Sequence, residues 1–291
     1  MSAADNVPTP GVMGPEPSQV CEVVNSVLEE LRLRPASAGD AGYIAHAARF
    51  ERTVTRLSHL LPAGARVLDV GSHFLHHAAC LSLLGFRVSG LDVSPFADLP
   101  VVRERARRYG IDNRAIERLD RGEFFPDESN AFDAVVFTEI LEHVTFNPVL
   151  MWRRIYDLVK APGGFVFITT PNSLTPWKVA SAIKRMSLRR GFGIAPEEIL
   201  STVTYGHHWK EYSAWEIRRL FELLSPDWNV RIAYYGFTDE VSATASGDFK
   251  ARIRRLTNRV FPALFESARG EIEVIARLEA RTSFIATDPG Y

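Results

Sequence analysis

The run Ala65-Arg66-Val67-Leu68-Asp69-Val70-Gly71 constrains the fold of this chain more than any other stretch. An apolar strand ends in an acid and a glycine, and a helix-like segment follows at once. A second apolar run, Phe86-Arg87-Val88-Ser89-Gly90-Leu91, ends in Asp92. Doubly wound α/β domains build nucleoside sites in this way. Glycine lets the backbone approach the ligand, and the acid closing the second strand takes the ribose hydroxyls. The dinucleotide form of the pattern, G-x-G-x-x-G, is not met. Gly71-Ser72-His73-Phe74-Leu75-His76 stands in its place, and only the first glycine is kept. A pyrophosphate needs several free backbone N–H groups at a helix N-terminus, and His73 and Leu75 make that approach harder. The ligand expected is a nucleoside without a pyrophosphate.

The alternation continues downstream. Strands are expected at 65–70, 86–91, 114–118, 132–138, 164–170, 228–236 and 271–277, and helices at 73–84, 98–109, 146–160 and 213–224. Strands alternating with helices argue for a parallel sheet with right-handed crossovers. Gly85, Gly110 and the pair Gly163-Gly164 sit where helices hand over to strands, as helix C-caps do. Ahead of the sheet, 20–33 and 41–61 read as helices, the first with Val23, Val24, Val27, Leu28 and Leu31 on one face. Residues 1–18, with Pro8, Pro10, Pro15 and Pro17, read as a disordered lead. Residues 19–291 are expected to form a single domain whose N-terminal helices occupy 19–61. Residues 171–212 are too long for a plain crossover and leave the sheet at its ligand edge, so they are expected to form a helical substrate lid.

Composition excludes several classes. The chain has 291 residues, 46% of them hydrophobic, which suits a globular protein with a substantial core. A net charge of -1 gives no global pull toward nucleic acid or an anionic membrane. Basic residues do cluster at Lys178, Lys184, Arg185, Arg189 and Arg190, and again at Lys250, Arg252, Arg254, Arg255 and Arg259 within an expected amphipathic helix at 249–268. They read as solvated helix faces, because acids are interspersed along the chain. Cys21 and Cys80 fit no metal spacing or disulfide framework, so a cytoplasmic location is expected. No apolar run reaches membrane-spanning length, and the N-terminus lacks the pattern of a secretion signal.

The fourth expected strand ends in Phe137-Thr138-Glu139-Ile140-Leu141-Glu142-His143. Three metal-competent side chains fall within five residues at the end of a strand that faces the ligand. In a helical turn Glu139, Glu142 and His143 would share one side. The segment after the insertion reads Gly206-His207-His208-Trp209-Lys210-Glu211-Tyr212. Two carboxylates with one or two imidazoles make a site for Mg²⁺ or Mn²⁺ with open positions. A metal-free reading stands beside it, with His143 as general base and a glutamate as helix cap. Glu211 reads as an orienting residue or cap, and His73, His76 and His77 as packing of the first crossover or as surface.

Val67-Leu68-Asp69-Val70-Gly71, Leu91-Asp92 and Phe132-Asp133-Ala134-Val135-Val136-Phe137 resemble, in order, motifs of the class I S-adenosylmethionine-dependent methyltransferases. The resemblance covers about residues 60–238 and a final strand near 271–278. It implies a seven-stranded, mostly parallel sheet whose last strand runs antiparallel beside the fifth, with N-terminal helices that close over the cofactor. It implies cofactor contacts from Asp69, Gly71, Ser72, Asp92, Val93, Asp120, Arg121 and Thr138, with Leu119-Asp120 standing where the family keeps an acid near the adenine. Glu-x-x-Glu-His followed by His-x-x-Glu-aromatic resembles the metal site of the plant small-RNA 2′-O-methyltransferases. Glu139, Glu142 and His143 are also similar to residues of the ubiquinone-pathway O-methyltransferases. That resemblance implies Glu139, Glu142, His143 and His208 as ligands, with His207 the competitor of His208.

The function these readings imply is a cytoplasmic O-methyltransferase that uses S-adenosylmethionine and Mg²⁺ or Mn²⁺. Glu142, His143 and His208 carry its catalytic chemistry. A metal-bound vicinal diol is the expected acceptor, and a sugar or oligosaccharide comes first because Trp177, Tyr205, Trp209 and Tyr212 can form an aromatic platform. The chain also resembles, more faintly, O-methyltransferases of polymethylated polysaccharides. Nucleic acid and membrane are not expected as partners, while a homodimer is. Two alternatives stand: a metal-free enzyme for a small-molecule hydroxyl or amine, and a non-catalytic protein that keeps the fold for partner binding.

Overall fold

The structure is a computed structural model that describes residues 15–33, 38–187, 193–194, 196–201, 206–236 and 265–289. Most of the expected lead, Arg189, Arg190, Tyr205 and the basic stretch 249–264 lie outside the described residues. Helices α1 (Pro17–Leu33), α2 (Ala38–Ala45) and α3 (Ala47–Leu60) precede the sheet. The expected second helix is thus two, separated at His46, whose φ of -113° and ψ of 24° break the helical run. Strand β1 (Arg66–Val70), helix α4 (His76–Leu83), strand β2 (Arg87–Val93), helices α5 (Ser94–Ala97) and α6 (Pro100–Tyr109), and strand β3 (Asp112–Ile116) follow. Then come β4 (Ala134–Thr138), α7 (Val149–Leu158), β5 (Phe165–Pro171), α8 (Pro176–Ser187), α9 (Pro196–Ser201), α10 (Ala214–Leu224), β6 (Trp228–Tyr235) and β7 (Glu271–Leu278).

The seven strands form one sheet in the order β3-β2-β1-β4-β5-β7-β6. β1 pairs parallel with β2, and β2 parallel with β3. β7 lies antiparallel between β5 and β6. This is the expected fold class, last strand included. The central strands are buried on both faces, as near-continuous apolar runs require: Val67, Leu68, Val135, Val136, Phe137, Phe167 and Ile168 are fully inaccessible. Each such side chain contributes about 1.5–3 kcal/mol on burial.

Contacts divide the chain into two compact units. The first holds residues up to Glu117 together with Phe132–Ala134. Within it α1 packs on α3 and α4, and α4 packs on β2 and α6. Gly110 caps α6 in the left-handed region at φ 65°, which a residue without Cβ adopts at little cost. The second unit holds Arg118–Ala131 and Val135–Tyr291. There α10 packs on α7 and β6, and its start is a full capping box: Ser213 Oγ accepts from the Glu216 N–H, and Glu216 accepts from the Ser213 N–H. Among the described residues no helix is long and apolar enough to cross a membrane.

Candidate functional site

The first unit holds the residues expected at the nucleoside end. β1 carries Asp69 into the interior, where the residue is 2% exposed and its Oδ1 has no hydrogen-bond partner. Burial, and then the charge of Asp92, push the Asp69 carboxyl up to about 7. Asp92 sits at the end of β2. Its Oδ2 accepts from the His73 N–H at 2.6 Å and its Oδ1 from the Val93 N–H at 2.7 Å. Burial raises the Asp92 carboxyl, and these two N–H groups oppose the rise.

The chain between β1 and α4 is not the helix start expected at 73. Gly71, His73 and Leu75 are all left-handed, at φ 71°, 47° and 60°. For residues with a Cβ this region costs about 1–2 kcal/mol each. The loop is held by the Gly71 N–H on Leu91 O at 2.8 Å and the Leu75 N–H on Ser72 O at 2.7 Å. Gly90 makes room for it: a Cβ there would stand 2.8 Å from Leu75 Cδ2 and 3.0 Å from Ser72 Oγ. Ser72 Oγ is buried without a partner. Two orphaned buried oxygens beside a bonded strand-end acid fit a polar nucleoside ligand. His73 is exposed and stands edge-on to Phe74 and Phe96, with centroids at 4.5 and 4.6 Å. His76 and His77 are buried, not surface as one reading allowed, because the left-handed loop drops the helix start into the core.

Asp120 and Arg121 lie on a 3-10 turn, Leu119–Arg121, of the second unit. Both Asp120 oxygens accept from Arg118, at 2.8 and 2.5 Å, and this hydrogen bonding holds the Asp120 carboxyl below its usual range. Arg121 is exposed and Thr138 half-buried at the end of β4.

The second unit brings Glu142, His143 and His208 together: each offers a ligand atom, and these atoms lie within 4.8 Å of one another. Glu142 and His143 stand on a 3-10 turn, Leu141–His143, directly after β4. Glu142 is inaccessible, its Oε2 accepts from Thr170 Oγ1 at 2.9 Å, and its Oε1 has no hydrogen-bond partner. Burial first, and then the Glu139 charge, raise the Glu142 carboxyl to about 7. His143 Nδ1 donates to His207 O at 3.0 Å. A carbonyl only accepts, so Nδ1 carries a proton, and Nε2 stands 4.0 Å from Glu142 Oε1.

The segment that delivers His208 hangs on the same turn. The Trp209 N–H donates to Glu142 O at 2.8 Å, and the Ser173 N–H donates to Tyr212 O at 3.1 Å. His208 Nδ1 faces Glu211 Oε1 at 3.4 Å, and Glu211 is bound by Lys178 at 2.6 Å. Hydrogen bonding to Glu211 raises His208. Between the adjacent histidines the structure separates the roles: His208 joins the cluster, while His207 is 1% exposed and packs edge-on to Trp209.

Glu139, also expected as a ligand, is not in this cluster. It precedes the turn in the left-handed region, at φ 56°, with its N–H on Thr169 O at 2.9 Å. The helical spacing that would align it with Glu142 therefore does not apply. The insertion contains α8, which buries no residue and leaves Trp177, Val179, Ile183 and Met186 exposed. Sequence reasoning missed Asp40 and Arg105, which hold the loop from outside it. Their only local signal was polar residues on otherwise apolar helix faces.

Comparison with known proteins follows this geometry. Residues 42–224 match the family profile described as "Methyltransferase domain". The ubiquinone biosynthesis O-methyltransferase of Xanthomonas axonopodis pv. citri is 31% identical over 166 residues, 56% of this chain and 62% of that protein. That of Chromobacterium violaceum is 38% identical over 116 residues, 39% of this chain and 47% of that protein. The chain thus spans about half the length of these relatives. Among solved structures, a methyltransferase from Thermotoga maritima described as a possible histamine N-methyltransferase is 12% identical and aligns 87% of this chain with 99% of its own, at a TM-score of 0.52. The cyclase SpnF is 17% identical and aligns 93% with 98%, at 0.54. These two share the fold, and a cyclase among them shows that the fold does not fix the chemistry. The family profile covers more than half of the chain, so this protein belongs to the methyltransferase-domain family, with S-adenosylmethionine as its cofactor.

Proposed function

We propose that the chain transfers the methyl group of S-adenosylmethionine to a hydroxyl of a small molecule that presents a vicinal pair of oxygens. The sulfonium is already an activated donor, so the protein's share is to align the acceptor oxygen and take its proton. The observation that carries the reading is the cluster of Glu142, His143 and His208, whose ligand atoms lie within 4.8 Å of one another around the orphaned Glu142 Oε1. The His143 Nδ1–H is spent on His207 O, so Nε2 is the ring atom that stands 4.0 Å from Glu142 Oε1. A catalytic divalent ion fits this donor set of one carboxylate and two imidazoles. When bound, such an ion lowers the pKa of a coordinated hydroxyl. Glu142, His143 and His208 would hold it, Glu211 would orient His208, and Thr170 would orient Glu142.

The printed names of the relatives support oxygen over nitrogen as the acceptor atom. A sugar or oligosaccharide remains the first acceptor to test, since Trp177 and Trp209 expose large ring faces beside this segment. A second reading keeps His143 Nε2 as a general base without metal, its ring oriented by the Nδ1 hydrogen bond to His207 O.

Glu142→Gln and His143→Ala separate the readings. Both variants should bind S-adenosylhomocysteine as the parent does, because they lie outside the cofactor residues. Under the metal reading both lose Mn²⁺ binding in calorimetry and methyl transfer together. Mn²⁺ binding that survives in both variants counts against the proposed ligand set.

A further inference from the structure

The first unit buries a charged cluster that the cofactor motif does not call for. Asp40, His76 and Arg105 are 5%, 6% and 7% exposed. They come from three helices, α2, α4 and α6, and two of them are dozens of residues from the loop between β1 and α4. Arg105 Nη1 donates to Phe74 O at 2.6 Å. That carbonyl lies between the two left-handed residues with side chains, His73 and Leu75. Arg105 Nη2 donates to Asp40 Oδ1 at 3.1 Å, and the same oxygen accepts from His76 Nε2 at 2.7 Å. Tyr43, three residues along α2, stacks on the His76 ring at 4.2 Å.

We propose that Arg105 and Asp40 are positioning residues for loop 71–75, supplying by side-chain hydrogen bonds the backbone control that glycines supply in G-x-G-x-x-G. The proposal rests on the reading of this loop as the cofactor loop. Residues with a Cβ leave the left-handed region unless their surroundings hold them there. Arg105 pins the carbonyl at the centre of the strained stretch, and Asp40 pins Arg105. The far side of the loop bears on the ribose acid directly, through the His73 N–H on Asp92 Oδ2 at 2.6 Å. A rotation at 73–75 would swing that N–H and disturb the carboxylate that receives the ligand. Core stability alone does not require this cluster, because apolar residues of similar volume stabilise a core as well as a buried ion pair does. A forked guanidinium reaching one chosen carbonyl is specific to loop shape.

Arg105→Lys keeps the charge but cannot fork between Phe74 O and Asp40. Binding of S-adenosylhomocysteine by calorimetry should weaken at least tenfold in this variant. His73→Gly should restore most of that loss in the Arg105→Lys background, because glycine holds the left-handed region unaided. It should leave any drop in melting temperature uncorrected. If Arg105→Lys melts below the assay temperature, Asp40→Asn serves with the same His73→Gly partner. Affinity within twofold of the parent in Arg105→Lys would overturn the proposal. So would a His73→Gly double variant that recovers nothing, since the cluster would then serve the core and not the loop. A parent protein that binds no S-adenosylhomocysteine would overturn the cofactor reading and the proposal with it.

Discussion

Asp92 and Asp69 are adjacent in the first unit but differ in chemistry. Asp92 is already bonded through both oxygens, whereas Asp69 keeps one buried oxygen without a partner. Asp92→Ala removes an acceptor for charge-assisted hydrogen bonds, each worth about 1.5–3 kcal/mol, so S-adenosylhomocysteine affinity should fall by at least tenfold in calorimetry. Asp69 predicts a pH dependence. Its raised carboxyl, near 7, is neutral below that value and ionised above it. We propose that Asp69 meets the α-ammonium of the ligand, which prefers the carboxylate, so affinity should rise from pH 6 to pH 8, with proton release on binding at the lower end. Asp69→Asn should bind weakly and without that slope. These acids were legible because the strand-acid-glycine pattern is local. Asp40 and Arg105 were not, because their partners lie 29 to 65 positions away and the loop shape that needs them has no local code.

At the level of elements, the strands were legible from apolar runs, the place of the last strand beside the fifth came from the family resemblance, and the starts of α4 and α6 were misplaced. The helix expected at 98–109 is broken before Pro100, with Leu99 extended at ψ 137°, as a residue preceding proline prefers. That signal was present in the sequence. The start of α4 at His76 carried none. Helix and tail are joined in the second unit by Asp227, 8% exposed, which accepts from Thr282 N and Oγ1 at 2.7 and 2.6 Å, from Ser283 N at 3.0 Å and from the Tyr156 hydroxyl. Burial alone would raise this carboxyl, but the hydrogen bonds win and hold it well below its usual range. A depressed folded pKa gives stability that is present above the unfolded value, about 3.9, and lost as pH falls through the folded one. Asp227→Asn should therefore cost about 2–3 kcal/mol in urea unfolding at pH 7 and keep most of that cost at about pH 3, losing it only as pH falls further toward the folded value. A cost unchanged on acidification below about pH 2 would place the effect in packing.

For the whole molecule, the fold narrows the chemistry without choosing it, and the proposed function assigns the choice to Glu142, His143 and His208. Their convergence was partly legible. Glu142 and His143 are neighbours in sequence, while His208 arrives through long-range hydrogen bonds such as those of Trp209 and Tyr212. The left-handed backbone of Glu139 breaks the helical turn assumed for it, so its spacing to Glu142 was not legible. Replacing 176–200 by a short linker should spare S-adenosylhomocysteine binding and abolish acceptor turnover, measured side by side. Normal turnover in the trimmed protein would make the insertion peripheral. The most direct measurement is transfer of labelled methyl from S-adenosylmethionine to a panel of sugars, catechols and amines, with parent protein before and after exhaustive chelation. The account predicts transfer to a vicinal diol, lost on chelation and restored by Mg²⁺ or Mn²⁺. Full transfer by the metal-free protein, or transfer to amines alone, would contradict it.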